Sequence, residues 1–238
     1  MEKDNSARRL LNILEKGKKI STDFSCKSAW RNLLDIKDDD LSLLFSRLGK
    51  VMTLQKIIIK DLEKYYPNQK KSYDYWSNRL NIAFSKQNIN STWLTFIESI
   101  DDHSIEYLRM STDLLDSKIE VKIIEEEKLI EIRVIVDNLI KEVINLKLDE
   151  NFKKYLITYL KKIIDSIDEY KITGITPIIE SFESTLGHAL VNKEFGENIK
   201  KSNLSDKFIN ILEKLNILID TGNNISQITN GLMGFLPK

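Results

Sequence analysis

The chain has 238 residues, 42% of them apolar, and its 36 Lys and Arg balance 36 Asp and Glu. That is apolar material enough for a sizeable core, which excludes disorder, and the balanced charge leaves no global field to draw in nucleic acid or an acidic membrane surface. One cysteine and two histidines exclude an internal disulfide and offer too few soft ligands for a structural zinc site.

The N-terminal stretch MEKDNSARRLLNILEKGKK is charged throughout and lacks a signal peptide's apolar run, which with the lone thiol predicts a cytoplasmic protein. Gly and Pro are scarce, and apolar residues recur at spacings of three and four, so helices are expected to dominate. Leu10, Leu11, Ile13 and Leu14 define a first helix that stops near Gly17. A second starts near Ser25 and carries Cys26, Ala29, Trp30, Leu33 and Leu34 on one side, which makes Cys26 a core residue in place of a nucleophile.

The acidic run Asp38-Asp39-Asp40 looks like a metal cluster. It precedes LSLLFSRLGKVMTLQKIIIKDLEKYY, however, and acidic residues at a helix start satisfy free N–H groups and suit the positive end of the dipole. That helix must end by Pro67, and NQKKS after it reads as a polar loop. YDYWSNRLNIAF and NSTWLTFIESI follow as helices, the second capped by Ser91, with Trp76, Trp93, Phe96 and Ile97 in packing roles. His103 falls in the capping segment of a helix over 104–116.

Leu129, Ile132, Val136, Leu139, Val143 and Leu146 form the cleanest stripe in the chain and ask for a partner helix. A strand pair built from KIEVKI and EIRVIV competes with this reading over 119–136. Glu125, Glu126 and Glu127 read as a solvated face. Beyond LKLDE, a helix places Phe152, Leu156, Tyr159, Leu160, Ile163 and Ile167 inward and Lys153, Lys154, Lys161 and Lys162 outward. Thr176 and Pro177 open the next helix. Its apolar side gathers Ile178, Ile179, Phe182, Leu186, Ala189 and Leu190, with Gly187 at the border for close helix approach. Ser181, Ser184 and His188 fall on the other side, which predicts an exposed His188.

From Leu215 to Pro237 the only ionisable residue is Asp220, and Ile225, Ile228, Leu232 and Phe235 repeat at helical spacing. This tail, 221–238, needs a surface to cover: either it is a last helix docked on the protein's own core, or it docks in a partner's groove, in which case these four residues are the expected partner-binding anchors. Its polar positions carry Asn, Gln and Thr without Lys or Arg, which disfavours a membrane surface. There is no phosphate-binding glycine loop, no GxSxG and no HExxH, and carboxylate pairs such as Glu180 and Glu183 arise by chance among so many acids. No catalytic, cofactor-binding or metal-binding residue is therefore assigned, and no cofactor is expected.

The pieces LLNILEKGKK, AWRNLL, SRLGKVMTL and LKLDENFKKYLITYLKKIIDSIDEYKITG, with Tyr170, Ile172 and Gly174 at a turn, together resemble a loose group of all-helical bacterial proteins of no established activity. The resemblance spans most of the chain and implies an accessory role in a mobile or defence-type locus. The expectation is thus an all-α, multi-helix bundle of two helical lobes, 1–117 and 118–238, sharing a core. It would act as a cytoplasmic interaction module that docks a partner protein or a second copy through apolar helix faces. Nucleic-acid binding through local Lys patches and an enzyme with a carboxylate-based site are the alternatives; steep salt dependence would mark the first and a bound divalent metal the second.

Overall fold

The computed structural model describes residues 3–119, 121–192, 195, 197–198 and 204–218. Among these the protein is all-α, with no strand; of the ambiguous span 119–136, residues 126–136 are helical and the described residues before them are irregular. The chain divides into two compact units. The first takes Glu2–Ile119 together with the short segment Lys171–Gly174; the second takes Glu120–Tyr170 and the described residues from Ile175 onward. Buried apolar residues form one cluster in each unit.

In the first unit, α1 (Ser6–Lys18) is capped by Asn5, whose side chain accepts from the Arg8 amide, and buries Leu10, Leu11, Ile13 and Leu14. It packs on α6 (Asp102–Asp116) and on α3 (Leu41–Tyr65). Ser25 caps α2 (Cys26–Leu33), Asp40 caps α3, and Asp101 caps α6, each through a side-chain oxygen that accepts an amide three residues on. The segment NQKKS is no loop: Pro67–Gln69 makes a 3-10 turn, and Lys70 already opens α4 (Lys70–Lys86). Fixed in φ, Pro67 ends α3 and starts the next turn at once.

The stretch after α4 also departs from expectation. Only Leu94–Ile97 is helical (α5), and Ser91 caps nothing there. Instead the backbone around 89–93 runs beside that around 24–27: the Cys26 amide donates to Ser91 O (2.8 Å) and the Trp93 amide to Phe24 O (2.7 Å). Those bonds place Trp93 in the core, where its ring meets Trp30 at 5.1 Å edge-on and Phe96 at 5.0 Å. All three indole N–H groups are satisfied: Trp30 by Gln87, Trp76 by Ser111, and Trp93 by Gly17 O.

In the second unit, α7 (Glu126–Asn145) packs against α8 (Glu150–Asp168) and α11 (Leu204–Leu218), and α8 packs against α10 (Thr176–Val191). The expected stripe on α7 is buried from Leu129 through Val143, with Leu146 packed at its edge. Glu125, Glu126 and Glu127 are exposed. Arg133 ties α7 to Asp168 of α8 (2.6 Å). The residue before α10 is Ile175 and no side chain caps the helix, so Thr176 does not fill the expected role. A four-residue turn, α9 (Tyr170–Thr173), precedes it.

Candidate interaction surface

The helix that organises the first unit also carries its most apolar outer face. Leu44, Leu48, Val51, Leu54, Ile58 and Leu62 of α3 lie in the core. Two buried polar residues on the same side fix the rotation of the helix. Arg47 donates from Nη1 to Leu34 O (2.7 Å), satisfying a carbonyl at the end of α2 with a cation, where the helix dipole favours one. Gln55 donates from Nε2 to Ser77 O of α4 (3.0 Å). With that side locked inward, Leu41, Phe45 and Met52 must point outward, and they are 47%, 52% and 44% exposed. Gly49 lies between Phe45 and Met52 on the same face, and a Cβ added there would meet nothing within 4 Å.

The positions 41, 45, 49, 52 and 56 thus make an outer row at spacings of three and four, apolar up to Lys56 at its end, with Asp38 in the bend that precedes the helix. Around that bend the three aspartates have separate fates. Asp40 accepts from the Leu43 amide (2.9 Å), and Asp39 pairs with Lys27 (2.6 Å) and Arg31 (3.3 Å). The hydrogen bond and charge of Lys27 hold the Asp39 carboxyl below its ordinary range. Asp38 is exposed and makes no ion pair among the described residues, as is also true of Lys56 at the far end of the row. Three large apolar side chains thus stand around an open gap on one exposed helix face. Sequence reading treats this helix as simply amphipathic. The signal available was its surplus: Leu41, Leu43, Leu44 and Phe45 are too many apolar residues for one buried stripe.

The residues singled out from sequence fall elsewhere. Cys26 is fully buried; burial pushes its thiol up against the opposing hydrogen bonds of Thr95 and Trp30, so it is no nucleophile at neutral pH. His103 is exposed in the first turn of α6. Glu180 and Glu183 are exposed on α10, and Lys154, Lys161 and Lys162 on α8, while Lys153 pairs with Glu150 (3.1 Å). Among the described residues no group of three His, Cys, Asp or Glu side chains is placed to hold a metal ion, and no helix is long and apolar enough to cross a membrane. The tail anchors Ile225, Ile228, Leu232 and Phe235 lie outside the described residues.

His188 is the clear correction. It is half-buried, with its ring centroid 5.2 Å from that of Tyr159 and 4.9 Å from that of Phe195, and its Nε2 is shielded without a hydrogen-bond partner among the described residues. The side of α10 that looks polar in projection is the side facing α8: Ser181 meets Ser166 of α8 (3.2 Å), and Thr185 is fully buried. Gly187, expected at a close helix approach, leaves room where a Cβ would meet nothing within 4 Å among the described residues.

No family model matches the chain, and no curated protein and no solved structure match it. The reading of the surface therefore rests on its own geometry.

Proposed function

We propose that this protein is an interaction module whose outer α3 face docks an apolar helix. The observation that carries the reading is the row Leu41, Phe45 and Met52, each more than two-fifths exposed on one rigid helix, with the open gap at Gly49 between them. An amphipathic helix laid along such a row is read by anchors at i, i+4 and i+11, and Phe45 at the centre is the natural hot spot. Rigidity supports the same reading, because the buried Arg47 and Gln55 hydrogen bonds hold the face in its binding geometry before a partner arrives.

The test is affinity capture with the tagged full chain at moderate salt, with nuclease present, beside Phe45→Glu. A protein retained by the unaltered chain and lost from Phe45→Glu, with both forms giving the same helical circular dichroism, supports the module. Retention indifferent to Phe45→Glu, or recovery of nucleic acid alone in a nuclease-free control, counts against it.

A further inference from the structure

The second unit carries an apolar strip of its own, and we infer that it is covered by the chain's own last segment, 225–236, folded back along α7. Ile130 and Val134 stand one turn apart on the side of α7 away from its buried stripe, 51% and 49% exposed, and Ile123 is exposed just ahead of the helix. The charges around this strip are matched within the unit. Glu131 pairs with Lys214 of α11 on one flank (2.5 Å), Arg133 with Asp168 of α8 on the other (2.6 Å), and Asp137 with Lys141 beyond Val134 (2.6 Å). A cover for this strip needs apolar side chains and no charge of its own.

The chain supplies such a segment and brings it to the strip. From Thr221 to Pro237 no residue is ionisable, in a protein of which 30% is charged, and Ile225, Ile228, Leu232 and Phe235 recur at helical spacing. α11 runs antiparallel to α7, since Lys207 meets Glu142 and Lys214 meets Glu131. Its end at Leu218, about 6 Å past Lys214 along the axis, therefore lies beside the first turn of α7, just short of Ile130. Residues 219–224 reach at most about 20 Å, and neighbouring helices lie about 8–10 Å apart, so this stretch spans the step from α11 to the outer side of α7. Residues 225–236 in helical form extend about 18 Å, enough to run past both Ile130 and Val134. The covering is independent of what the α3 face binds.

Thiol labelling tests the covering, because Cys26 is fully buried and leaves an introduced cysteine as the reactive one. In the full chain, Val134→Cys is expected to react roughly tenfold or more slowly than in the same variant ending at Asp220, at a rate independent of protein concentration. Ile144→Cys, 54% exposed near the far end of α7, is expected to react equally fast with and without the segment. Leu232→Glu in the full chain is expected to bring Val134→Cys to the rate of the shortened chain, with circular dichroism unchanged. Equal rates at 134 with and without the segment, or slow labelling that ignores Leu232→Glu, overturn the covering. Slow labelling that sets in only as protein concentration rises overturns it too and makes a second copy the cover. If shortening speeds labelling at 134 and 144 alike, the segment holds the unit together without covering the strip, and the proposal falls.

Discussion

Tyr170 shows how one side chain can settle a backbone group that no helix provides for. Its hydroxyl accepts from the Ile124 amide (2.9 Å), two residues before α7 begins, and both residues are buried. Ile124 lies outside any helix, so the hydroxyl takes the place of a ladder partner. Tyr170→Phe keeps the ring and removes the acceptor. It is expected to cost about 1–3 kcal/mol, the penalty for a buried N–H left unpaired, read as a lower urea midpoint at unchanged slope. A loss of only a few tenths would mean that water reaches the amide. Nothing in a local pattern announces this bond, because its partners are 46 residues apart. The same limit explains His188: the residues that cover it, Tyr155, Tyr159 and Phe195, belong to other turns of the chain, and a projection of α10 alone cannot contain them.

At the level of elements, two glycines have opposite uses. Gly49 sits mid-helix over open space, so it weakens α3 without any packing return. Gly49→Ala is expected to stabilise the chain by about 0.5–1 kcal/mol in thermal or urea unfolding. Gly174 has φ +74°, and a Cβ there would lie 2.6 Å from an Arg9 nitrogen. That guanidinium is not free to retreat, since it donates to Ile172 O (3.0 Å) and pairs with Asp4 (2.5 Å). Gly174→Ala is expected to cost about 1–2 kcal/mol from the left-handed backbone alone, with displacement of Arg9 in addition. Equal effects at the two positions would refute the distinction.

Elements were the scale at which the sequence was most legible. Ser25, Asp40 and Asp101 announce α2, α3 and α6 because capping is chemistry within three residues. The stripe from Leu129 to Val143 announces α7 because its spacing is periodic. What misled was tertiary. The 89–93 segment is not helical because it borrows the backbone of 24–27, and NQKKS is mostly helix because Pro67 both ends and restarts the chain's helical course. The outer row of α3 was hidden for a related reason: an apolar residue in an amphipathic helix reads as core until Arg47 and Gln55 show which side faces in.

On the scale of the whole molecule, the balance of charge leaves individual carboxylates to set the response to acid. A hydrogen bond from Lys27 lowers Asp39, and one from Lys141 lowers Asp137. Burial pushes Asp101 up, but hydrogen bonds from Ser104 and Tyr75 and the nearby Arg79 outweigh it and leave the carboxyl lowered. Each of these three groups is more acidic folded than unfolded, so its contribution is fully present above the ordinary carboxylate value of about 4 and is lost as pH falls through the folded value. Asp61 on α3 runs the other way: burial raises it, and Lys64 and Lys60 only partly oppose this. Its charged form is therefore a cost to the fold at neutral pH, relieved once acid protonates it in both states. Among these four carboxyls the lowered ones predominate, which predicts a urea midpoint that falls below about pH 4. Because these groups are largely exposed, each effect is small and shrinks with added salt. Asp61→Asn separates the signs: it is expected to raise the midpoint at pH 7 and to leave it unchanged at pH 3. A gain of equal size at both values would show that the residue is held back by packing and not by its charge.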